Sequence, residues 1–133
     1  MIPSLFNVSQ ICAGDFSTTF LANSTVYTTG YNGDGELGLG DTINRAVPTG
    51  ILSLTGNATS ITCGFHLSLA NQPPNMYGWG MNSYGEAGFS AHRNRLYPTW
   101  VSSLNGLPIT EIAALDQDSY FYQESSEDLL GTG

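Results

Sequence analysis

The apolar residues of this chain occur in short runs that glycine, asparagine and proline interrupt, a pattern typical of β-strands separated by turns. Strands are predicted at residues 9–14, 18–22 and 26–29, and again at 60–64, 68–70 and 76–79. A looser fourth strand is predicted after each Pro-Thr pair, at 50–52 and 100–102. No segment of ten residues has the 3.6-residue apolar spacing of an amphipathic helix. The sequence therefore predicts an all-β protein.

The same pattern occurs twice, at an offset of 50 residues. Twelve of the 39 residue pairs between 11–49 and 61–99 are identical, whereas unrelated segments would share about two or three. Three or four short strands per repeat are typical of propeller blades. We therefore expect a lead-in at 1–10, blade repeats at 11–60 and 61–111, and an incomplete, degenerate third repeat with an acidic tail at 112–133. The third strand of that last repeat is expected to be absent.

Glycines are the most regular feature of the repeat. They recur in four pairs, which are Gly14 and Gly64, Gly30 and Gly80, Gly35 and Gly85, and Gly38 and Gly88. Glycine is favoured where φ is positive or where two backbones pass closely, so we interpret all eight as structural. Gly33, Gly35 and Gly38 also form G-x-G-x-x-G, the spacing of a dinucleotide-binding loop. Because the second copy has Ser83 in place of Gly33 and no helix is predicted to follow, we expect no nucleotide there.

The stretch VYTTGYNGDGELGLGD at 26–41 resembles the repeat of the regulator of chromosome condensation family, and MYGWGMNSYGEAGF at 76–89 is a weaker copy. The resemblance extends over nearly all of residues 5–122. It implies a partial β-propeller of antiparallel blades, in a family whose propellers normally have seven blades of about 50 residues. The histidine that the family usually has beyond the first strand is replaced by Ser17, Leu67 and Asp118.

The charge balance excludes several classes of partner. The chain has eleven Asp and Glu residues, three Arg and no Lys, which gives a formal net charge of −8. Such a surface repels a phosphate backbone and an anionic bilayer, so we predict no direct binding to nucleic acid or to membrane. No apolar run reaches the roughly 18 residues of a membrane span, and no signal peptide is visible.

Motifs for metals, cofactors and catalysis are weak. Asn32, Asp34 and Glu36 alternate as calcium ligands would, but Leu37 and Ile43 occupy the positions where a calcium loop has glycine and glutamate. Nucleophile motifs such as G-x-S-x-G are absent from the sequence. We therefore predict no metal, no cofactor and no enzyme activity.

The histidines and cysteines are interpreted as structural. His66 lies beside a strand start and is expected to donate to a neighbouring carbonyl, whereas His92 is expected in an exposed loop. Cys12 and Cys63 occupy adjacent positions of equivalent strands. Because successive strand residues point to opposite faces, a disulfide between them is not expected, and both are predicted to be buried free thiols.

The repeated arginines Arg45 and Arg95 lie within the motif N-R-x-x-P-T, which occurs once in each unit. A charged side chain that recurs with the repeat is more typical of a contact between units than of a substrate site. We expect each arginine to bridge neighbouring blades, with the repeated glutamates Glu36 and Glu86 as candidate acceptors of its hydrogen bonds.

Two surface features bear on partners and on the compartment. Sequons at Asn7, Asn23 and Asn57 are candidate glycosylation sites, although the abundance of Ser, Thr and Asn makes chance matches the default interpretation. Acidic residues are concentrated towards the end of the chain; such a run is usually only solvated, but it is also the best candidate in this sequence for docking a basic partner. The candidates are Glu111, Asp116, Asp118, Glu124, Glu127 and Asp128.

The family resemblance implies a platform for other proteins, and we predict a non-catalytic interaction scaffold. One alternative is a guanine-nucleotide exchange factor for a small GTPase, in the nucleus or cytoplasm. Another is a secreted or surface structural glycoprotein. We also expect the chain to be a fragment of a longer propeller, or to associate with copies of itself, because two and a half blades leave open edge strands and apolar faces.

Overall fold

The computed structural model describes residues 5–104, 106–116, 118–123 and 126–132. Within these ranges the chain forms strands β1 (Val8–Ala13), β2 (Ser17–Ala22), β3 (Thr25–Gly30), β4 (Arg45–Gly50), β5 (Ser60–Cys63), β6 (Leu67–Gln72), β7 (Asn75–Gly80), β8 (Arg95–Trp100), β9 (Glu111–Leu115), β10 (Asp118–Gln123) and β11 (Asp128–Thr132). Short 3₁₀ helices at Leu52–Leu54 and Ser102–Leu104 follow β4 and β8. No helix in the described ranges is long and apolar enough to cross a membrane.

The strands form three antiparallel sheets in which neighbours along the chain are also neighbours in the sheet. We call β1–β4 the first blade, β5–β8 the second blade and β9–β11 the third blade. A meander of this kind is the strand order of a propeller blade. The prediction of an all-β chain of antiparallel blades is confirmed.

The two four-stranded blades are equivalent residue by residue. Gly30 pairs with Arg45 between β3 and β4, and Gly80 pairs with Arg95 between β7 and β8. In both blades the ladder is irregular immediately before this glycine. The 50-residue offset in the sequence is therefore the offset between two blades. The division of the chain after residues 10, 60 and 111 stays a prediction.

The fourth strand of each blade lies earlier than the residue pattern predicts. It does not follow the Pro-Thr pair at 50–52 and 100–102, because β4 and β8 contain Pro48 and Pro98 and end at Gly50 and Trp100. Both strands are outermost in their sheets. At such an edge a residue without an N–H need not interrupt a ladder, so the proline indicates an edge strand.

The third blade contains a third strand, β11, which is not expected from the residue pattern. β11 pairs with β10 over five consecutive positions, from Ser119 opposite Thr132 to Gln123 opposite Asp128. The expectation that this strand is absent was wrong because it required the Val-Tyr-x-x-Gly motif of the first repeat. Here Leu130 lies opposite Phe121 and packs at the edge of the core, so backbone pairing and one apolar contact suffice.

The core lies between the blades. One cluster fills the junction of the first and second blades and consists of Leu21, Val26, Ile51, Leu54, Ala58, Ile61, Ala70 and Trp79. The other fills the junction of the second and third blades and consists of Leu67, Leu69, Met76, Ala87, Val101, Leu104, Ile109 and Phe121. Because each sheet buries its apolar residues against the next sheet, neighbouring blades stabilise one another.

Cys12 of β1 and Cys63 of β5 form a disulfide bond, with Cα atoms 5.6 Å apart. The prediction of two free thiols was wrong. Its premise, that adjacent strand positions point to opposite faces, holds within one sheet. Blades, however, stack with the forward face of one against the backward face of the next. A disulfide between them therefore needs side chains of opposite orientation, which is the arrangement that these two positions provide.

Candidate interaction surface at the loop end of the blades

Two kinds of connection lie at one end of the blades. The first is the turn between the first and second strands, at residues 14–16, at 64–66 and at Asp116 in the third blade. The second is the long loop between the third and fourth strands, at 31–44 and 81–94. Because antiparallel strands alternate in direction, these turns and loops share one end, which we call the loop rim.

The long loops are organised by a repeated asparagine. The Oδ1 atom of Asn32 accepts the N–H of Leu37 at 2.9 Å, and its Nδ2 donates to the carbonyl of Asp41 at 2.8 Å. Asn82 makes the equivalent bonds in the second loop, at 3.0 and 2.8 Å. Both asparagines are fully buried. A buried amide with satisfied polar atoms holds each loop in shape, which explains why this residue recurs.

Several repeat glycines have a left-handed backbone. The φ values are +111° and +100° at Gly30 and Gly80, +85° and +91° at Gly35 and Gly85, and +66° and +83° at Gly38 and Gly88. A Cβ at Gly38 would lie 2.8 Å from the Trp79 ring, and one at Gly35 would lie 3.0 Å from the Arg95 carbonyl oxygen. Residues 31–44 are all described and contain no helix. Within G-x-G-x-x-G, Gly35 and Gly38 are therefore the positions at which this loop packs against the next blade.

Glu36 is a buried carboxylate at the junction of the first two blades. It is 2% exposed, and its Oε2 accepts the N–H of Asp34 at 2.8 Å. Its Oε1 lies 2.8 Å from Nδ1 of His66 in the second blade, and Trp79 donates its indole N–H to the Glu36 carbonyl at 2.9 Å. His66 therefore bonds to a carboxylate, not to the carbonyl that the sequence suggested. The sequence feature that indicates this contact is the glutamate itself, which recurs as Glu36 and Glu86 in a chain with few charged residues.

Asp34, Glu36 and His66 form a group of potential metal ligands. One ligand atom from each lies within 4.8 Å of the others. Asp34 Oδ1 accepts from Nδ2 of Asn94 at 2.9 Å, across the same blade junction, and both Glu36 oxygens have protein partners. In the second loop Tyr84 replaces Asp34. Because hydrogen bonds within the protein already engage Asp34 Oδ1, both Glu36 oxygens and His66 Nδ1, we interpret the group as a structural link between blades.

The expectation that Arg45 and Arg95 bridge neighbouring blades through the repeated glutamates was wrong. Arg45 pairs with Asp41 of its own loop, with Nη2 and Oδ2 2.7 Å apart. This hydrogen bond is the main cause that holds the pKa of Asp41 below its usual range. The Arg95 guanidinium lies 4.7 Å from the centre of the Phe89 ring. Burial lowers the pKa of Arg95. The glutamates are buried beneath the loops and accept backbone N–H groups, so the arginines bind elsewhere.

The acidic docking candidates do not form one surface. Asp116 and Asp118 lie at the loop rim, whereas Glu111, Glu127 and Asp128 lie at the opposite end of the third blade. All five are exposed. Glu124 lies outside the described residues. The acidic stretch is continuous in sequence, but the chain reverses direction twice between β9 and β11, which distributes its carboxylates over both ends.

The turns at the inner edge of the loop rim are joined from blade to blade by backbone hydrogen bonds. The Asp15 N–H donates to the Phe65 carbonyl at 3.0 Å, and the Phe65 N–H donates to the Asp116 carbonyl at 3.4 Å. A Cβ on Gly14 would lie 2.9 Å from the Phe65 oxygen, and one on Gly64 would lie 3.3 Å from the Asp116 oxygen. This close approach explains the repetition of Gly14 and Gly64.

Aromatic side chains are exposed on the loop rim beside carboxylates. Their exposed fractions are 67% for Phe16, 42% for Tyr31, 45% for Phe65 and 58% for Tyr84. Phe16 and Tyr31 pack edge to face, with ring centres 6.3 Å apart. Asp15 and Asp116 are exposed on the neighbouring turns. Exposed aromatic residues grouped on one face are typical of surfaces that bind other proteins.

The three sequons lie at the end of the first blade that is opposite the loop rim. Asn7 precedes β1, Asn23 lies in the turn between β2 and β3, and Asn57 lies in the connection between β4 and β5. All three are exposed. Asn7 Nδ2 donates to Asn23 Oδ1 at 3.0 Å, and Asn23 Nδ2 donates to the Phe6 carbonyl at 3.3 Å. A glycan at this end would leave the loop rim uncovered.

Comparison with known sequences identifies a repeat family. The family model described as regulator of chromosome condensation (RCC1) repeat matches residues 23–70 and 75–117. The E3 ubiquitin-protein ligase MYCBP2 of Danio rerio is 39% identical over 57 residues, which are 43% of this chain and 1% of that protein. The matched part of the ligase is thus a very small fraction of its length.

Comparison with solved structures shows the same fold. Prp20p of Saccharomyces cerevisiae has a TM-score of 0.81 at 20% identity, with 98% of this chain and 32% of that chain covered. Human WBSCR16 has a TM-score of 0.76 at 21% identity, with 99% and 32% covered. The ectodomain of the Physcomitrella patens receptor kinase CR4 has a TM-score of 0.62 at 16% identity, with 98% and 31% covered. The chain spans about a third of these solved proteins.

Proposed function

The chain belongs to the regulator of chromosome condensation (RCC1) repeat family, and on this premise we propose that it is a non-catalytic scaffold whose loop rim binds another protein. The observation that carries the proposal is the group of exposed aromatic residues and carboxylates on that rim. The turns and loops beneath them are cross-linked by hydrogen bonds between blades. A surface that is already ordered loses little conformational entropy when it binds.

The use of the reactive side chains supports a non-catalytic role. Glu36 and His66 bond to each other across a blade junction, and the two cysteines form a disulfide. A general base must be free to accept a proton from the substrate, and a thiolate nucleophile must be free to attack it. Here these side chains instead link the first two blades, so we assign them a role in stability.

Proteins are the partner class that we propose. The Prp20p structure is described together with binding properties to Gsp1p and histones, and yeast RCC1 (Prp20) has been solved bound to Kap60. A small GTPase is one candidate partner for this chain. A nucleotide-release assay against a panel of small GTPases tests that candidate, and acceleration by the chain would replace the non-catalytic assignment with nucleotide exchange.

Site-specific photo-crosslinking tests the proposed surface. A photoreactive phenylalanine at Tyr84 reports on the loop rim, and the same residue at Leu52, which is 91% exposed at the opposite end, is the matched control. We expect a protein captured from native extract at Tyr84 and not at Leu52. The captured protein is then purified, and its affinity should fall about tenfold for Tyr84→Ala, because aromatic residues dominate interface energies. Equal capture at both positions, or an unchanged affinity, would contradict the proposal.

A structural glycoprotein of the cell surface or secretory pathway is the second candidate, and the disulfide favours it. Disulfides persist in oxidising compartments and are rare in the cytosol, and three sequons are exposed at one end. Mass spectrometry of the native protein tests this candidate by measuring glycan occupancy at Asn7, Asn23 and Asn57. Complete absence of glycan together with reduced cysteines in the native protein would exclude it.

A further inference from the structure

A depression of about 300 Å³ lies at the inner edge of the loop rim, where the turns of the three blades meet. Its lining includes Gly14, Asp15, Gly64, Phe65, Leu115 and Asp116. The backbone bonds from Asp15 to Phe65 and from Phe65 to Asp116 set these three residues side by side across two blade junctions. Residues of the described chain form both of these junctions.

The depression combines an aromatic surface with two carboxylates. Phe65 is 45% exposed, and its backbone lies between the turns that carry Asp15 and Asp116. His66 packs edge-on against the Phe65 ring, with centres 4.7 Å apart, and its Nδ1 faces Glu36 in the blade junction. Among the described residues, neither Asp15 nor Asp116 has an ion-pair partner.

The basic residues of the chain lie elsewhere. Arg45 and Arg95 begin β4 and β8, and Arg93 lies in the long loop of the second blade. Arg45 is already paired with Asp41, and Arg95 is stacked on Phe89. Nothing among the described residues therefore neutralises the two carboxylates of the depression, and the net charge of −8 adds a long-range attraction for cations.

We propose that this depression binds the guanidinium group of an arginine in a basic segment of a partner protein, which deepens the proposed function and rests on it. The Phe65 ring is the face on which the cation stacks, and Asp15 and Asp116 accept its N–H groups. Arginine fits better than lysine because its planar group stacks on an aromatic ring and presents five donors in a fixed geometry.

A peptide titration followed by NMR tests the site on the full chain. The probe is acetyl-Gly-Arg-Gly-amide, and its citrulline counterpart, which keeps the planar shape but lacks the charge, is the matched control. We expect saturable shifts of the backbone amides of 14–16, 64–66 and 116 with the arginine peptide alone. The lysine peptide should bind about five- to tenfold more weakly, because it lacks the stacked planar donor group.

Variants locate the binding within the depression. Phe65→Ala, Asp15→Asn and Asp116→Asn should each weaken binding of the arginine peptide about five- to tenfold. Leu52→Ala and Asp128→Asn, which lie at the opposite end of the blades, should leave its affinity unchanged. If Phe65→Ala does not fold, Phe65→Leu keeps an apolar side chain without a π face, and the same loss is expected. Equal binding of the citrulline peptide, or affinity that these variants do not change, would overturn the proposal.

The two experiments distinguish a failure of the arginine site from a failure of the proposed function. If the crosslinked partner binds the loop rim but the arginine peptide does not bind at 14–16, 64–66 and 116, the arginine site is wrong and the scaffold function stands. If the peptide binds there but no protein is captured at the loop rim, the depression binds a guanidinium group, but the proposed function fails, and with it the assignment of a partner protein's arginine as the occupant.

Discussion

Single buried side chains hold the blade junctions. Glu36, 2% exposed, contacts both the backbone of its own loop and His66 of the next blade. Trp79 adds an indole hydrogen bond to the same residue. A buried carboxylate requires such partners, because an unpaired polar atom in the interior costs free energy. Glu36, His66 and Trp79 therefore link the first and second blades.

Removal of His66 should destabilise the chain. His66→Ala leaves Glu36 Oε1 buried without its partner, so we expect the free energy of unfolding to fall by about 1–3 kcal/mol. Urea denaturation measures this change. His92→Ala is the matched control, since His92 is exposed, and should change stability by less than about 0.5 kcal/mol. Equal effects of the two variants would contradict the assigned contact.

The Asp41–Arg45 pair gives a pH-dependent signal at a single residue. The Arg45 hydrogen bond depresses the pKa of Asp41 in the folded protein. The stabilisation is therefore complete above the pKa of the unfolded chain, about 3.9, and is lost as the pH falls through the lower folded value. An NMR titration should show Asp41 ionising below its usual range, and Arg45→Gln should raise its pKa. An unchanged pKa in Arg45→Gln would argue against Arg45 as the main cause.

At the scale of the strands and loops, glycine has two separate roles. At Gly14 a side chain would collide with the backbone of the neighbouring turn, and at Gly64 it would make a tight contact with that backbone. At Gly38 the backbone is left-handed, and the Trp79 ring of the next blade also occupies the space of a Cβ. Gly56 has the same type of backbone, but no atom lies within 4 Å of a Cβ built there.

Comparison of two alanine variants should separate these roles. Gly56→Ala tests the left-handed backbone alone and is expected to cost about 1 kcal/mol. Gly38→Ala adds the collision with Trp79 and should cost about 1–3 kcal/mol more. Thermal or urea unfolding of both variants gives the difference. Similar losses of stability would mean that the blades can move apart at no cost, against the close contact described here.

On the scale of the whole molecule, the two ends of the blades differ in chemistry. The loop rim carries exposed aromatic residues and turns cross-linked between blades, whereas the opposite end carries the three sequons. The interior consists of two clusters between three sheets, so no blade has a complete core of its own. Contacts between blades, including the disulfide, therefore decide the stability of the assembly.

The disulfide should contribute measurably to that stability. Cys12 and Cys63 are 51 residues apart in sequence and join two blades, so their bond restricts the unfolded chain. We expect Cys12→Ser with Cys63→Ser to lower the free energy of unfolding by about 2–4 kcal/mol. The native protein should have no free thiol in a thiol assay under denaturing conditions without reductant. Two reactive thiols in that assay would show that the bond is not formed.

The sequence by itself determined the all-β class, the repeat and the strands that pair locally, because a 50-residue offset and period-two apolar runs are properties of the chain order. β1–β3 and β5–β7 lie within a residue or two of the predicted strands. Pro48 and Pro98 obscured the fourth strands, since the rule that excludes proline from strands does not hold at a sheet edge.

Only the tertiary structure decided which groups meet across a blade junction. The Cys12–Cys63 bond, the Glu36–His66 contact and the distribution of the acidic residues over two ends all depend on how one sheet stacks against the next. A repeat specifies each sheet through hydrogen bonds between chain neighbours. The stacking is set by side-chain packing between residues 30 to 60 positions apart, and the order of residues along one strand does not encode that packing.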